Sequence, residues 1–159
     1  MPENVRVLLQ LVNIYRLRGI IYVVPMVEEE YCIWKPVEPI IELQKPEQPE
    51  LEVALEMSWP YSCSFNATKP VPLTLWDGKG GEVWRVASNL WAVGRYNDDT
   101  TALTPNILVV SELVDEDTEP RLLLDGQSWE AVYELQTSFP SNKAASAIAA
   151  LISEQINQV

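Results

Sequence analysis

The chain has 159 residues, 47% of them hydrophobic, with 23 acidic and 11 basic side chains, no histidine and a net charge of -12. The missing histidine removes the commonest general base, the usual partner of a Ser or Cys nucleophile and the commonest transition-metal ligand. The negative field repels nucleic acid and anionic membranes, and the length and apolar share suit a single domain over 1–159 with its own core.

Val5 to Leu17 place Arg6, Gln10, Asn13 and Arg16 at helical spacing, which predicts an N-terminal helix with a wide apolar face. Gly19 stands where a left-handed helix cap is wanted, and Ile20–Val24 that follows is β-branched and aromatic, as in a buried strand. Arg6, Gln10, Asn13, Arg16 and Arg18 break this apolar stretch well short of the ~18–20 residues a membrane-spanning helix needs. It also lacks a signal-peptide cleavage pattern. A soluble, cytoplasmic protein is expected.

Pro36, Pro39, Pro46 and Pro49 each remove a backbone donor and predict irregular or edge structure, with 36–50 a short Pro/Glu-rich linker or flap. After them, Leu51, Val53, Leu55 and Met57 alternate with Glu52, Ala54, Glu56 and Ser58, the pattern of a half-exposed strand. Segment 26–58 carries two Lys against nine Glu, a net -7.

Strands are predicted over 71–76 and 82–87, with Asp77, Gly78, Gly80 and Gly81 forming the turn between them. This glycine cluster is not a phosphate cradle, because Gly81 is followed by Glu82 rather than by Lys and Ser or Thr. Nor is it a dinucleotide fingerprint, because Val83 occupies the third glycine position. Residues 83–96 read as strand, break at Ser88-Asn89, strand, and Asn106–Val114 as a further strand.

The charged tip after Val114 is followed by a hairpin over Arg121–Gln136, turning at Asp125-Gly126, with Trp129, Ala131, Tyr133 and Leu135 on one face. A C-terminal helix begins after an N-cap at Ser141 and carries the stripe Ile148, Leu151, Ile152, Ile156 and Val159. These elements sum to an α+β fold, a mostly antiparallel sheet of about six to eight strands flanked by an N-terminal and a C-terminal helix.

Two cysteines, Cys32 and Cys63, are too few for a disulfide framework and have no zinc-ligand spacing, which suits thiols in a reducing compartment. The Asn66-Ala67-Thr68 glycosylation pattern carries no weight without a signal peptide. The remaining chemistry is carboxylate chemistry. Asp98, Asp99, Asp115, Glu116, Asp117 and Glu119 form an acidic surface in a segment, 98–134, that carries ten acids against one Arg. The run from Asp115 is no calcium loop, since Pro120 stands where the glycine is required.

Trp76, Trp84, Arg85, Trp91, Arg95 and Tyr96 lie in the central stretch, whose charge is not negative, and are of the types enriched at protein interfaces. They are the candidate partner-binding residues. The leading expectation is a non-catalytic protein-binding chain, an adaptor or structural subunit of a larger assembly, with no cofactor and no metal, whose protein partners are further copies of itself in a homo-oligomer or other chains, basic ones among them, in a hetero-complex. A second is an acidic inhibitor or immunity-type protein whose carboxylates mimic nucleic-acid phosphate and block a basic partner. A third is an enzyme using Asp98 or Asp99, with or without Mg²⁺.

Overall fold

The computed structural model describes residues 9–17, 19–30, 33–64, 80–87, 90–96, 103–114, 134–139 and 143–157. Leu9–Leu17 is a strand, β1, not the core of an N-terminal helix. It pairs antiparallel with β2 (Ile20–Glu30), and Leu17 lies opposite Ile20, so the two strands form a tight hairpin. Gly19 takes φ 83°, the positive angle expected of it, in a hairpin loop rather than a helix cap.

The strand wins over the helix because β1 is central. Both of its faces are buried: Val12 and Ile14 on one, Leu11 and Asn13 on the other. A strand covered on both faces loses its polar–apolar alternation, and the spacing of its polar residues then imitates a helix. Those polar residues are hydrogen-bonded inside. Gln10 donates from Nε2 to the Trp59 carbonyl at 2.9 Å, and Asn13 from Nδ2 to the Tyr15 hydroxyl at 3.2 Å.

Two short strands, β3 (Ile33–Pro36) and β4 (Ile41–Gln44), run one after the other along the outer edge of β2. Prolines are tolerated at such an edge because no neighbour needs their missing donor. Between the strands the chain crosses a cis Glu38-Pro39 bond, and Val37 N–H reaches the Pro25 carbonyl at 3.0 Å.

Gln48–Ser58 is a helix, α1, where alternation predicted a strand. Its start is specified locally: Pro49 fits the first turn, and the Glu47 N–H donates to Glu50 Oε1 at 2.9 Å, half of a capping box. Its buried residues Leu51, Ala54, Leu55 and Ser58 follow i, i+3, i+4, i+7 spacing. A 3-10 turn, Trp59–Tyr61, then returns the chain to the sheet, where Ser62 Oγ accepts from Leu11 N–H at 2.7 Å and Glu28 N–H donates to the Cys63 carbonyl at 3.0 Å.

The second half contains β5 (Gly81–Ala87), β6 (Leu90–Tyr96), β7 (Leu103–Val114), β8 (Glu134–Phe139) and α2 (Ala144–Asn157). β6 pairs antiparallel with β5 and β7, and β5 with β8. β5 ends at Ala87 and β6 begins at Leu90, two strands as expected from 83–96. The two antiparallel groups join through the parallel β1–β7 pairing into one sheet of order β3-β2-β1-β7-β6-β5-β8, with β4 beside β3 on β2.

Both helices pack on one face of this sheet. Val12, Ile14, Ile21, Val23, Val83, Trp91, Val93 and Phe139 from the strands meet Leu51, Ala54 and Leu55 of α1, Trp59, and Ala144, Ala145, Ile148, Ala149 and Ile152 of α2. The small alanines let α2 approach closely, and each fully buried leucine or isoleucine contributes about 1.5–3 kcal/mol. Sheet and helices form segregated layers, so the class is α+β, as expected. The tip 71–79, the loop 115–120, the turn at Asp125-Gly126 with Trp129, Ala131 and Tyr133, the N-cap Ser141, Asn66, Cys32 and the first eight residues lie outside the described residues.

Candidate functional site

The tryptophan segment forms the β5–β6 hairpin, but its register turns the rings inward. Trp84 lies opposite Ala92 and is 7% exposed; Trp91 lies opposite Arg85 and is 5% exposed. Trp91 packs in the core under the helices, and Trp84 lies on the other face of the sheet. Both expected contact residues are thus buried in the domain and present little ring surface. Arg85 is exposed. Arg95 and Tyr96 stand in β6 by backbone pairing, while their side chains, like Trp76, Asp98, Asp99, Asp115, Glu116, Asp117 and Glu119, lie outside the described residues.

A different face combines exposure with apolar character. Between β4 and α1 runs a groove of about 460 Å³ lined by Ile41, Leu43, Pro49, Glu50, Val53, Ala54 and Met57. Strand alternation turns Ile41 and Leu43 toward the helix, where they pack against the core cluster, while Glu42 and Gln44 are exposed on the opposite side. Val53 and Met57, one turn apart on α1, are 53% and 54% exposed. The alternating reading had placed both on a buried face. Once Leu51, Ala54, Leu55 and Ser58 are taken as the buried stripe, Val53 and Met57 necessarily fall beside it; the signal was the proline and paired glutamates at the start of α1.

The surroundings of this groove are acidic. Segment 36–58 carries six Glu (38, 42, 47, 50, 52 and 56) against Lys45, a net -5. Burial pushes the Glu56 carboxyl above its ordinary range and the negative charge of Glu52, one turn away, adds to the effect; Lys143 opposes both. Of the neighbouring lysines, Lys35 is already paired with Glu29 at 2.6 Å.

A second cleft, of about 660 Å³, lies between the β1–β2 turn, the start of α1 and the end of α2. It sets Arg16 and Lys45 against Glu47, so its charges are partly balanced. Burial also raises the Tyr15 hydroxyl above its usual range, while the hydrogen bond from Asn13 lowers it. Cys63 is a half-buried free thiol. Among the described residues no three Cys, Asp or Glu side chains converge as a metal site, and no helix is long and apolar enough to cross a membrane.

The geometry of the β4–α1 face thus provides apolar anchoring points, a strand edge and negative charge. Comparison with protein-family models, with curated proteins and with solved structures finds no match to this chain.

Proposed function

We propose that this chain is a non-catalytic protein-binding subunit or adaptor, and that it meets its partner at the β4–α1 groove. The observation that carries this reading is apolar surface left open within an acidic face. Ile40, Val53 and Met57 are each more than half exposed, at 53%, 53% and 54%, beside the partly buried Ile41 and Leu43. Single exposed apolar residues are ordinary, but a contiguous apolar groove rimmed by charge is the pattern of an interaction site. The chain's lack of histidine supports the same reading by removing the side chain most used for proton transfer.

An acidic inhibitor draws on the net charge alone, whereas the groove adds anchors that exclude water. The two readings differ in salt response, because screened charge pairs weaken with added salt and apolar contacts do not. The free Cys63 thiol suits a reducing compartment, and we place the protein in the cytoplasm.

The test is affinity capture from the native source at high salt with the wild-type chain and with Met57→Glu, each checked for folding by circular dichroism. A defined partner held by the wild type and lost by the variant supports the reading. A partner released from both by salt supports the inhibitor instead.

A further inference from the structure

We infer that the partner docks by adding a short extended segment to the outer edge of β4, a segment in which apolar residues alternate with lysine or arginine. This rests on the protein-binding reading above and specifies what occupies its groove.

The backbone supplies the first reason. Ile41–Gln44 pairs with β2 along one edge, and among the described residues no strand pairs with the other. Alternate N–H and C=O groups of β4 therefore point away from the sheet, the arrangement that captures an added strand. Pro39 and Pro46 cannot donate, so they limit the pairing to the short stretch between them that contains β4.

The side chains supply the second. A strand laid against β4 continues its alternation, so every second residue projects on the groove side beside Ile41 and Leu43, over Val53 and Met57. Two such residues stand roughly 7 Å apart, twice the rise of a strand. The groove, at about 460 Å³, has room for two branched aliphatic side chains. The residue between them comes opposite Glu42 on the other face, where a directly facing cation is the favoured cross-strand pair.

Charge then selects among occupants. A second copy of this chain would bring its own net -5 segment against this one, and the like charges would repel. A basic segment meets Glu42, exposed on the face away from the groove.

The test uses two synthetic probes, Lys-Val-Lys-Val-Lys-Val and Glu-Val-Glu-Val-Glu-Val, both capped, titrated to millimolar concentration against the labelled full chain. Amide shifts of Ile41–Gln44 in NMR spectra report binding. The lysine probe is expected to bind roughly tenfold or more tightly than the glutamate probe, a difference of about 1.4 kcal/mol. Glu42→Lys should reverse that order, Met57→Glu should abolish binding of both, and N-methylation of alternate probe amides should abolish binding of the lysine probe. Glu42 and Met57 are exposed, so these variants should keep the wild-type circular dichroism.

Equal binding of the two probes, an undiminished N-methylated probe, or no shift in β4 at millimolar lysine probe would overturn the inference. If Met57→Glu still loses the natural partner while the lysine probe leaves β4 unmoved, the strand-addition inference fails and the groove reading survives. If Met57→Glu retains the natural partner, both fail.

Discussion

The β5–β6 hairpin and the β4–α1 face hold the residues most suggestive of binding, and they dispose of them in opposite ways. The hairpin carries tryptophan beside arginine, the pairing enriched at interfaces, yet buries Trp84 and Trp91. The β4–α1 face carries only Ile, Leu, Val and Met among glutamates, yet leaves Val53 and Met57 half in water. The difference lies in what each element lacks. The hairpin has a helical layer to pack against on the Trp91 side, and there a large ring is worth more inside the domain than on its surface. α1 is committed to the sheet through Leu51, Ala54, Leu55 and Ser58, and nothing described remains to cover its flank.

The sharpest way to break this contrast is to truncate the ring in the core. Trp91→Ala should lower stability by about 3–5 kcal/mol, because it opens a cavity beneath the helices. Urea denaturation should show a markedly lower midpoint; a wild-type midpoint combined with lost partner binding would return the hairpin to the role of contact surface. Gln10→Ala should cost less, about 0.5–1.5 kcal/mol in the same assay, by removing one of two donors to the Trp59 carbonyl, which keeps the Ser62 N–H.

How far the sequence discloses these two regions follows from the same physics. The two strands of the β5–β6 hairpin, the strand at Ile20 and the helix carrying Ile148 and Ile152 are legible, because each has one dominant period. β1 is not, since burial on both faces erases alternation and Gln10 and Asn13 satisfy their polarity inside. α1 misleads for a different reason: Leu51, Val53, Leu55 and Met57 alternate although the helix buries only the first and third of them. The groove was hidden by that one misassignment, because period two and period 3.6 agree on Leu51 and Leu55 and disagree on Val53 and Met57. Trp84 and Trp91 show the complementary failure, in which residue type suggests an interface and only register reveals a core.

On the exposed side, Met57→Gln should change stability by no more than about 0.5 kcal/mol, since the side chain already lies half in solvent. Its effect should appear in partner capture instead. A loss of several kcal/mol on urea denaturation would mean that Met57 belongs to the core after all.

The smallest effect probes the charge on the flank of α1 that meets Lys143. Glu56 has its carboxyl raised by burial and by Glu52, so over the pH range just above the ordinary carboxylate value the folded chain holds more proton than the unfolded one. Stability contributed through this group is therefore greatest in acid and falls as pH rises through the raised value. Glu56→Gln removes the charge and should stabilise the chain at neutral pH by about 0.2–0.5 kcal/mol, the scale of one like-charge pair a turn apart on an exposed helix. The gain should vanish when both carboxyls are protonated, and it should shrink at neutral pH with added salt. Loss of the Lys143 attraction works against the gain, so Lys143→Met in the Glu56→Gln background should have less effect than Lys143→Met alone.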